Sequence, residues 1–202
     1  MQKLVILGGT FNPVHYGHLQ LLRRFVQKIG ADRALLIPTG TPPHKIAPDL
    51  APGKDRLAMC RLAVQKDGFE VSDIEIKRSG PSYTADTLLA VKRDNPESEL
   101  YFIMGEDMFL TLQDWYKSEL IYSLATICAA PRSDHGCRAL KAYAEKIKRR
   151  GAKTIICNLD FLPISSTMVR SAACRGENLS TYVPVSVADY IYQHHLYSEE
   201  SN

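Results

Sequence analysis

Two histidines, His15 and His18, stand three residues apart behind a glycine turn, in Gly8-Gly9-Thr10-Phe11-Asn12-Pro13-Val14-His15-Tyr16-Gly17-His18-Leu19. The segment directly follows the apolar run Leu4-Val5-Ile6-Leu7. A short buried strand, a glycine turn and an opening helix aim unpaired backbone N–H groups and the positive end of a helix at one small volume. Imidazoles with this spacing in a first helical turn project from one face and can grip the same ligand. The chemistry this predicts is phosphate contact. A zinc-type H-E-x-x-H pair needs a spacing of four and a Glu between, whereas Tyr16 and Gly17 intervene here. No metal site is therefore read into it. G-x-G-x-x-G is also absent, so a dehydrogenase reading does not follow.

A second constellation lies far downstream, in Ile164-Ser165-Ser166-Thr167-Met168-Val169-Arg170. Hydroxyls at a helix start stand one turn ahead of an arginine, and backbone N–H groups with a planar guanidinium suit phosphoryl oxygens. An ordinary serine cap with a solvated arginine fits the same residues, and taken alone the segment leaves both open. Trp115, the only tryptophan, reads by itself first as packing and only second as a platform for a flat ring.

The elements that must position these residues alternate along the chain. Buried strands are expected at Leu4 to Leu7, Ala34 to Ile37, Phe69 to Ile76, Leu100 to Met104, Ala125 to Ala129 and Thr154 to Leu159. Helical spacing runs from Leu19 to Ile29, with Gly30 as its stop, and over Asp55 to Lys66, Ala85 to Arg93 and Arg138 to Arg149. Shorter helical pieces fall at Asp107 to Leu112 and Ser118 to Leu124, and a final helix at Val185 to His195. Ser133-Asp134-His135-Gly136 reads as a polar surface loop. This order predicts an α/β fold with a doubly wound, mainly parallel sheet, its ligands in the crevice outside the carboxyl ends of the strands. One domain over 1–202 is expected, helical from about residue 164. The Pro/Gly-punctuated stretch from Pro38 through Gly53, about 16 residues long, is suited to binding.

Composition bounds the class. At 202 residues with 45% hydrophobic residues the chain can build one sizeable core. Twenty-five Lys and Arg against 22 Asp and Glu give a net charge of +3, too small to argue for duplex nucleic acid. Five scattered cysteines without a C-x-x-C pair read as reduced thiols in a cytoplasmic protein. Met1 leads into the first strand without room for a signal peptide, and no apolar stretch approaches the ~18 residues of a membrane span.

With both constellations in view, the pair G-G-T-F-x-P-x-H-x-G-H-L and I-S-S-T-x-x-R resembles the nucleotidylyltransferase superfamily. Pro42-Pro43-His44-Lys45, Gly80-Pro81-Ser82-Tyr83-Thr84-x-x-Thr87-Leu88, Gly105-x-Asp107 with Trp115-Tyr116, and the ending Val183-Pro184 to Leu196-Tyr197 narrow the resemblance. They are similar to bacterial nicotinate mononucleotide adenylyltransferases. The resemblance implies a Rossmann-like nucleotidylyltransferase fold and transfer of the adenylyl group of ATP to nicotinate mononucleotide, with Mg²⁺ bound to ATP. It implies catalytic roles for His15, His18 and Arg170, the imidazoles contacting the α-phosphate and, if protonated, its developing charge. ATP would meet Gly8, Gly9, Thr10, Phe11, Gly105, Asp107, Ile164, Ser165, Ser166 and Thr167. The mononucleotide would meet His44, Lys45, Thr84, Trp115, Tyr116 and Arg132. Relatives acting on nicotinamide mononucleotide or pantetheine phosphate, and a non-catalytic ATP-sensing module, are the alternatives. The chain departs from the family pattern at Asn12, where Asp is frequent, and at Thr39-Gly40.

Overall fold

The computed structural model describes residues 1–42, 49–131, 134–159 and 162–198. Its elements follow in chain order as β1 (Gln2–Gly9), α1 (Tyr16–Ile29), β2 (Arg33–Pro38), α2 (Gly53–Val64), β3 (Glu70–Val71) and α3 (Ile74–Lys77). Then come α4 (Thr84–Asp94), β4 (Ser98–Gly105), α5 (Glu106–Phe109), a 3-10 turn (Leu112–Asp114), α6 (Ser118–Leu124) and β5 (Ala125–Ala130). The chain continues through α7 (Asp134–Lys148), β6 (Thr154–Ile156), α8 (Ser166–Cys174) and α9 (Val185–Gln193). Among the described residues one six-stranded sheet forms in the order β3-β2-β1-β4-β5-β6, every pair parallel.

Both faces of this sheet are covered, so its central strands are apolar on both sides. In β1, Leu4 and Ile6 join the layer built with Leu88 of α4, Ile121 of α6 and Leu140 of α7. Val5 and Leu7 join the opposite layer, with Leu22 of α1, Met59 of α2, Val169 of α8 and Val187 of α9. The strand order reverses at β1, between β2 and β4, which opens a crevice at their carboxyl ends. Gly8 and Gly9 end β1 there and Gly105 ends β4.

The expected alternation holds, with local differences. Phe69 to Ile76 pairs only over Glu70–Val71. The Ser72 N–H still reaches the Leu36 carbonyl at 2.9 Å. Its hydroxyl, however, accepts from the Ile74 N–H at 3.3 Å and turns the chain into α3. At the other edge β6 stops at Ile156, shorter than the expected Thr154 to Leu159. The helix expected from Arg138 already begins at Asp134, inside the segment read as a loop. Gly30 closes α1 in the left-handed region at φ 62°. No helix among the described residues is long and apolar enough to cross a membrane.

Candidate active site

The glycine turn delivers the two imidazoles in a different way from a simple helical face. His15 is the residue before α1, with extended backbone, and His18 lies in its first turn. Their rings nevertheless stack, 3.7 Å between centroids and 26° between planes. The His15 backbone N–H donates to His18 Nδ1 at 3.3 Å, which in the neutral ring places the His18 proton on Nε2. A side chain on Gly17 would press within 3.1 Å of the His15 ring and 3.5 Å of the Ile164 carbonyl, so the glycine lets α8's leading segment close on this turn. Phe11, at φ 45°, is buried with its ring edge-on to His18 at 5.0 Å and backs the imidazoles rather than lining a cavity.

His15 is 5% exposed, and its Nδ1 is buried without a hydrogen-bond partner. Burial lowers its pKa from 6.5 to about 4. His15 is therefore neutral near pH 7 in the free protein.

The downstream constellation meets this turn from the other side. Ser165 caps α8, accepting from the Met168 N–H at 3.2 Å. Ser166 Oγ donates to the Pro13 carbonyl at 2.9 Å, and Arg170 Nη1 donates to the Asn12 carbonyl at 3.0 Å. Both serine hydroxyls are thus engaged with the protein, while Thr167 is exposed at the helix start. Arg170 and Thr167 line a cavity of about 500 Å³ with Asp49, Ser171, His195 and Tyr197. Arg170 Nη2 stands 4.0 Å from the Asp49 carboxylate.

A second cavity, about 350 Å³, opens over the crevice between β1 and β4. It is lined by Gly8, Gly9, Thr10 and Gly105 together with Thr84, Trp115 and Tyr116. Residues expected at ATP and at the mononucleotide thus share one cavity, whereas Arg170 opens on the other. His15 and His18 line neither, and follow the Gly8-Gly9-Thr10 wall in the chain. Trp115 donates its indole N–H to Thr111 Oγ1 at 3.3 Å, leaving a ring face to the cavity wall, and Tyr116 tilts against Tyr83 at 4.6 Å. Asp107 is exposed in the first turn of α5. His44, Lys45 and Arg132 lie outside the described residues.

Two side chains that build this site carried no sequence reading. Arg56 is 1% exposed and donates to four carbonyls: Ala51 at 2.9 Å, Thr10 at 2.8 Å, Thr39 at 2.6 Å and Gly40 at 3.2 Å. Burial pulls its pKa below the usual guanidinium value. Helical spacing from Arg56 to Met59, Cys60 and Ala63 was the available signal for a buried arginine. Glu75, also buried, accepts from Thr87 Oγ1 at 2.7 Å, and desolvation raises its pKa. The departure at Thr39-Gly40 belongs here, because a Cβ on Gly40 would meet the Glu75 carbonyl at 2.1 Å. Among the described residues no group of three or more His, Cys, Asp or Glu could hold a metal ion.

Comparison with known proteins gives consistent matches. Residues 6–172 match the family model described as cytidylyltransferase-like. A protein of Dehalococcoides mccartyi (strain CBDB1), "Probable nicotinate-nucleotide adenylyltransferase", is 41% identical over 96% of this chain and 97% of its own. One of Synechococcus sp. (strain JA-3-3Ab), with the same description, is 39% identical over 97% of this chain and 95% of its own. Among solved structures, Plasmodium falciparum nicotinic acid mononucleotide adenylyltransferase complexed with NaAD aligns with a TM-score of 0.77 and 20% identity, covering 98% of each chain. That likeness establishes the shared fold.

Proposed function

The chain belongs to the cytidylyltransferase-like family, alongside the nicotinate-nucleotide adenylyltransferases within it, and from that premise we propose that it transfers the adenylyl group of ATP to nicotinate mononucleotide. The products are deamido-NAD and pyrophosphate. The observation that carries the reading is the joining of two anion-binding elements beside a ring-sized cavity. Ser166 and Arg170 of α8 are hydrogen-bonded to the backbone of the Asn12-Pro13 turn that presents His15 and His18.

A phosphate oxygen of the mononucleotide attacks the α-phosphorus of ATP in line, the bond from that phosphorus to the bridging oxygen breaks, and pyrophosphate leaves with the bond's electrons. No covalent enzyme intermediate is required, so rate comes from position and from charge stabilisation. His18, with its proton on Nε2, donates to the α-phosphate. Neutral His15 supports the His18 ring by stacking. Arg170, with Thr167 and the start of α8, receives the β- and γ-phosphates, while Gly8, Gly9, Gly105 and Asp107 border the adenosine. Lys45, His44 and Arg132, outside the described residues, are assigned to the substrates on the family resemblance alone. Mg²⁺, held by the triphosphate itself, would neutralise charge there.

Trp115 stacks on the pyridine ring. The first turn of α4 begins at Thr84 on the cavity wall, without a side-chain cap. Its N–H groups suit a carboxylate, whereas an amide would turn donor hydrogens toward donors. The acid is therefore preferred over nicotinamide mononucleotide. We place the reaction in the cytoplasm and treat residues 1–202 as one catalytic unit.

The test incubates the protein with ATP, Mg²⁺ and either nicotinate or nicotinamide mononucleotide, and follows pyrophosphate and dinucleotide. Deamido-NAD formed faster than NAD is expected. Absence of pyrophosphate with both would leave the ATP-sensing alternative, and preference for the amide would reverse the assignment of the α4 terminus.

A further inference from the structure

We propose that Tyr197, in the segment that follows α9, is a positioning residue for the phosphate grip and acts through Asn12. The inference rests on the adenylyl-transfer reading above. Tyr197 adopts a left-handed backbone at φ 63°, and its hydroxyl reaches Asn12 Oδ1 at 2.8 Å across 185 positions of sequence. The same oxygen accepts the Ala51 N–H at 3.0 Å, and Asn12 Nδ2 donates to the Asp49 carbonyl at 2.8 Å. These three bonds fix which way the amide points: its oxygen takes two donors, so the tyrosine is the donor. Asn12 is 6% exposed, with its side chain committed to the protein.

What makes this relevant to chemistry is the other half of the same residue. The Asn12 backbone carbonyl accepts from Arg170 Nη1 at 3.0 Å, and the next carbonyl, Pro13, accepts from Ser166 Oγ at 2.9 Å. Rotation of the Asn12 peptide would therefore carry the guanidinium and the start of α8 with it. Tyr197 and Ala51 hold that peptide through its side chain. Desolvation pushes the Tyr197 pKa far above its ordinary value, against the pull of the Arg170 and Arg56 guanidiniums. The donor thus persists across the working pH range. Tyr197 shares the cavity wall with Arg170 and Thr167, but its hydroxyl is committed to Asn12, so its contribution is the geometry of the group that receives pyrophosphate.

Tyr197→Phe removes the hydroxyl and keeps the ring, so folding is preserved while Asn12 loses one of its three anchors. Turnover should fall about tenfold with the KM for nicotinate mononucleotide changed less than about twofold, the pattern of a displaced transition-state contact. The rise in melting temperature caused by inorganic pyrophosphate with Mg²⁺ should shrink to less than about half that of the wild type, since the ligand stabilises in proportion to its binding. In the Asn12→Ala background, Tyr197→Phe should cost nothing further, because the two act as one unit. An unchanged turnover and unchanged pyrophosphate shift in Tyr197→Phe overturn the proposal, as does the same loss repeated in the Asn12→Ala background. If the wild type forms no dinucleotide, adenylyl transfer is refuted, and the pyrophosphate shift of the two variants still decides the role of Tyr197.

Discussion

The two ends of the site are held by different kinds of contact. At the phosphate end, side chains are locked to backbone: Arg170 and Ser166 to the carbonyls of Asn12 and Pro13, Arg56 to four carbonyls from three loop segments. At the ring end, Trp115 and Tyr116 sit between a 3-10 turn and α6; the Trp115 backbone is tied to Leu112 and Ser118, while the two rings meet other side chains, Thr111 and Tyr83, and Tyr116 is 47% exposed. Charge stabilisation is strongest when the donors are already in place and need not reorganise as charge develops. A stacking platform needs area, and a small shift of its plane loses little. The buried Arg56 marks the first regime most clearly. An unpaired buried cation is costly, and it is tolerated because carbonyl oxygens satisfy its donors at the point where the loops must not move.

The difference predicts which kinetic constant each end controls. His18→Ala removes the donor we propose for the α-phosphate and should lower kcat by about 10²- to 10³-fold, the usual loss for one such donor. The mononucleotide KM should stay within about twofold. Steady-state rates with each substrate varied in turn measure both. A raised KM at unchanged kcat would place His18 at the ring end instead and break the comparison.

The locked end also leaves a signature in stability. His15 has its pKa lowered to about 4 by burial, whereas in the unfolded chain it returns to 6.5. Between these values the unfolded state takes up a proton that the folded state refuses. The contribution is fully present above pH 6.5 and is lost as the pH falls toward 4, about 3 kcal/mol in all. Urea unfolding of the free protein at pH 7.5 and pH 5 should show about 2 kcal/mol of it, the part lost between pH 6.5 and 5. His15→Gln should flatten that part of the profile, and a wild-type slope retained in the variant would mean another group is responsible.

Legibility in the sequence follows the same division. The glycine turn after β1 was readable because strand, turn and helix start are adjacent and each has a local rule. The alternation of strands and helices was readable because both faces of the sheet had to be filled. The cross-links that make the phosphate end rigid were not. Arg56 donates to carbonyls of Thr10, Thr39, Gly40 and Ala51, groups every residue carries, so no pattern of residue types announces them. The stretch around Glu75 alternates apolar and polar like a strand, and only the Ser72 turn and the closeness of Gly40 to the Glu75 carbonyl show why α3 replaces it. His15 looked chargeable because sequence gives the residue type, and burial gives its protonation.

The ring end should yield the smallest effect. Trp115 offers one indole face at the wall of the 350 Å³ cavity, with its N–H already satisfied by Thr111. Its loss removes stacking area that ground and transition states share, so binding of both weakens equally and kcat is spared. Trp115→Ala should raise the mononucleotide KM by about tenfold, equivalent to about 1.4 kcal/mol, with kcat within about twofold and the ATP KM unchanged. Trp115→Phe should recover most of that loss, because a smaller ring still presents a face. A fall in kcat larger than the rise in KM would show that Trp115 also sets the attack geometry, and the ring end would then belong with the phosphate end as a preorganised part of the machinery.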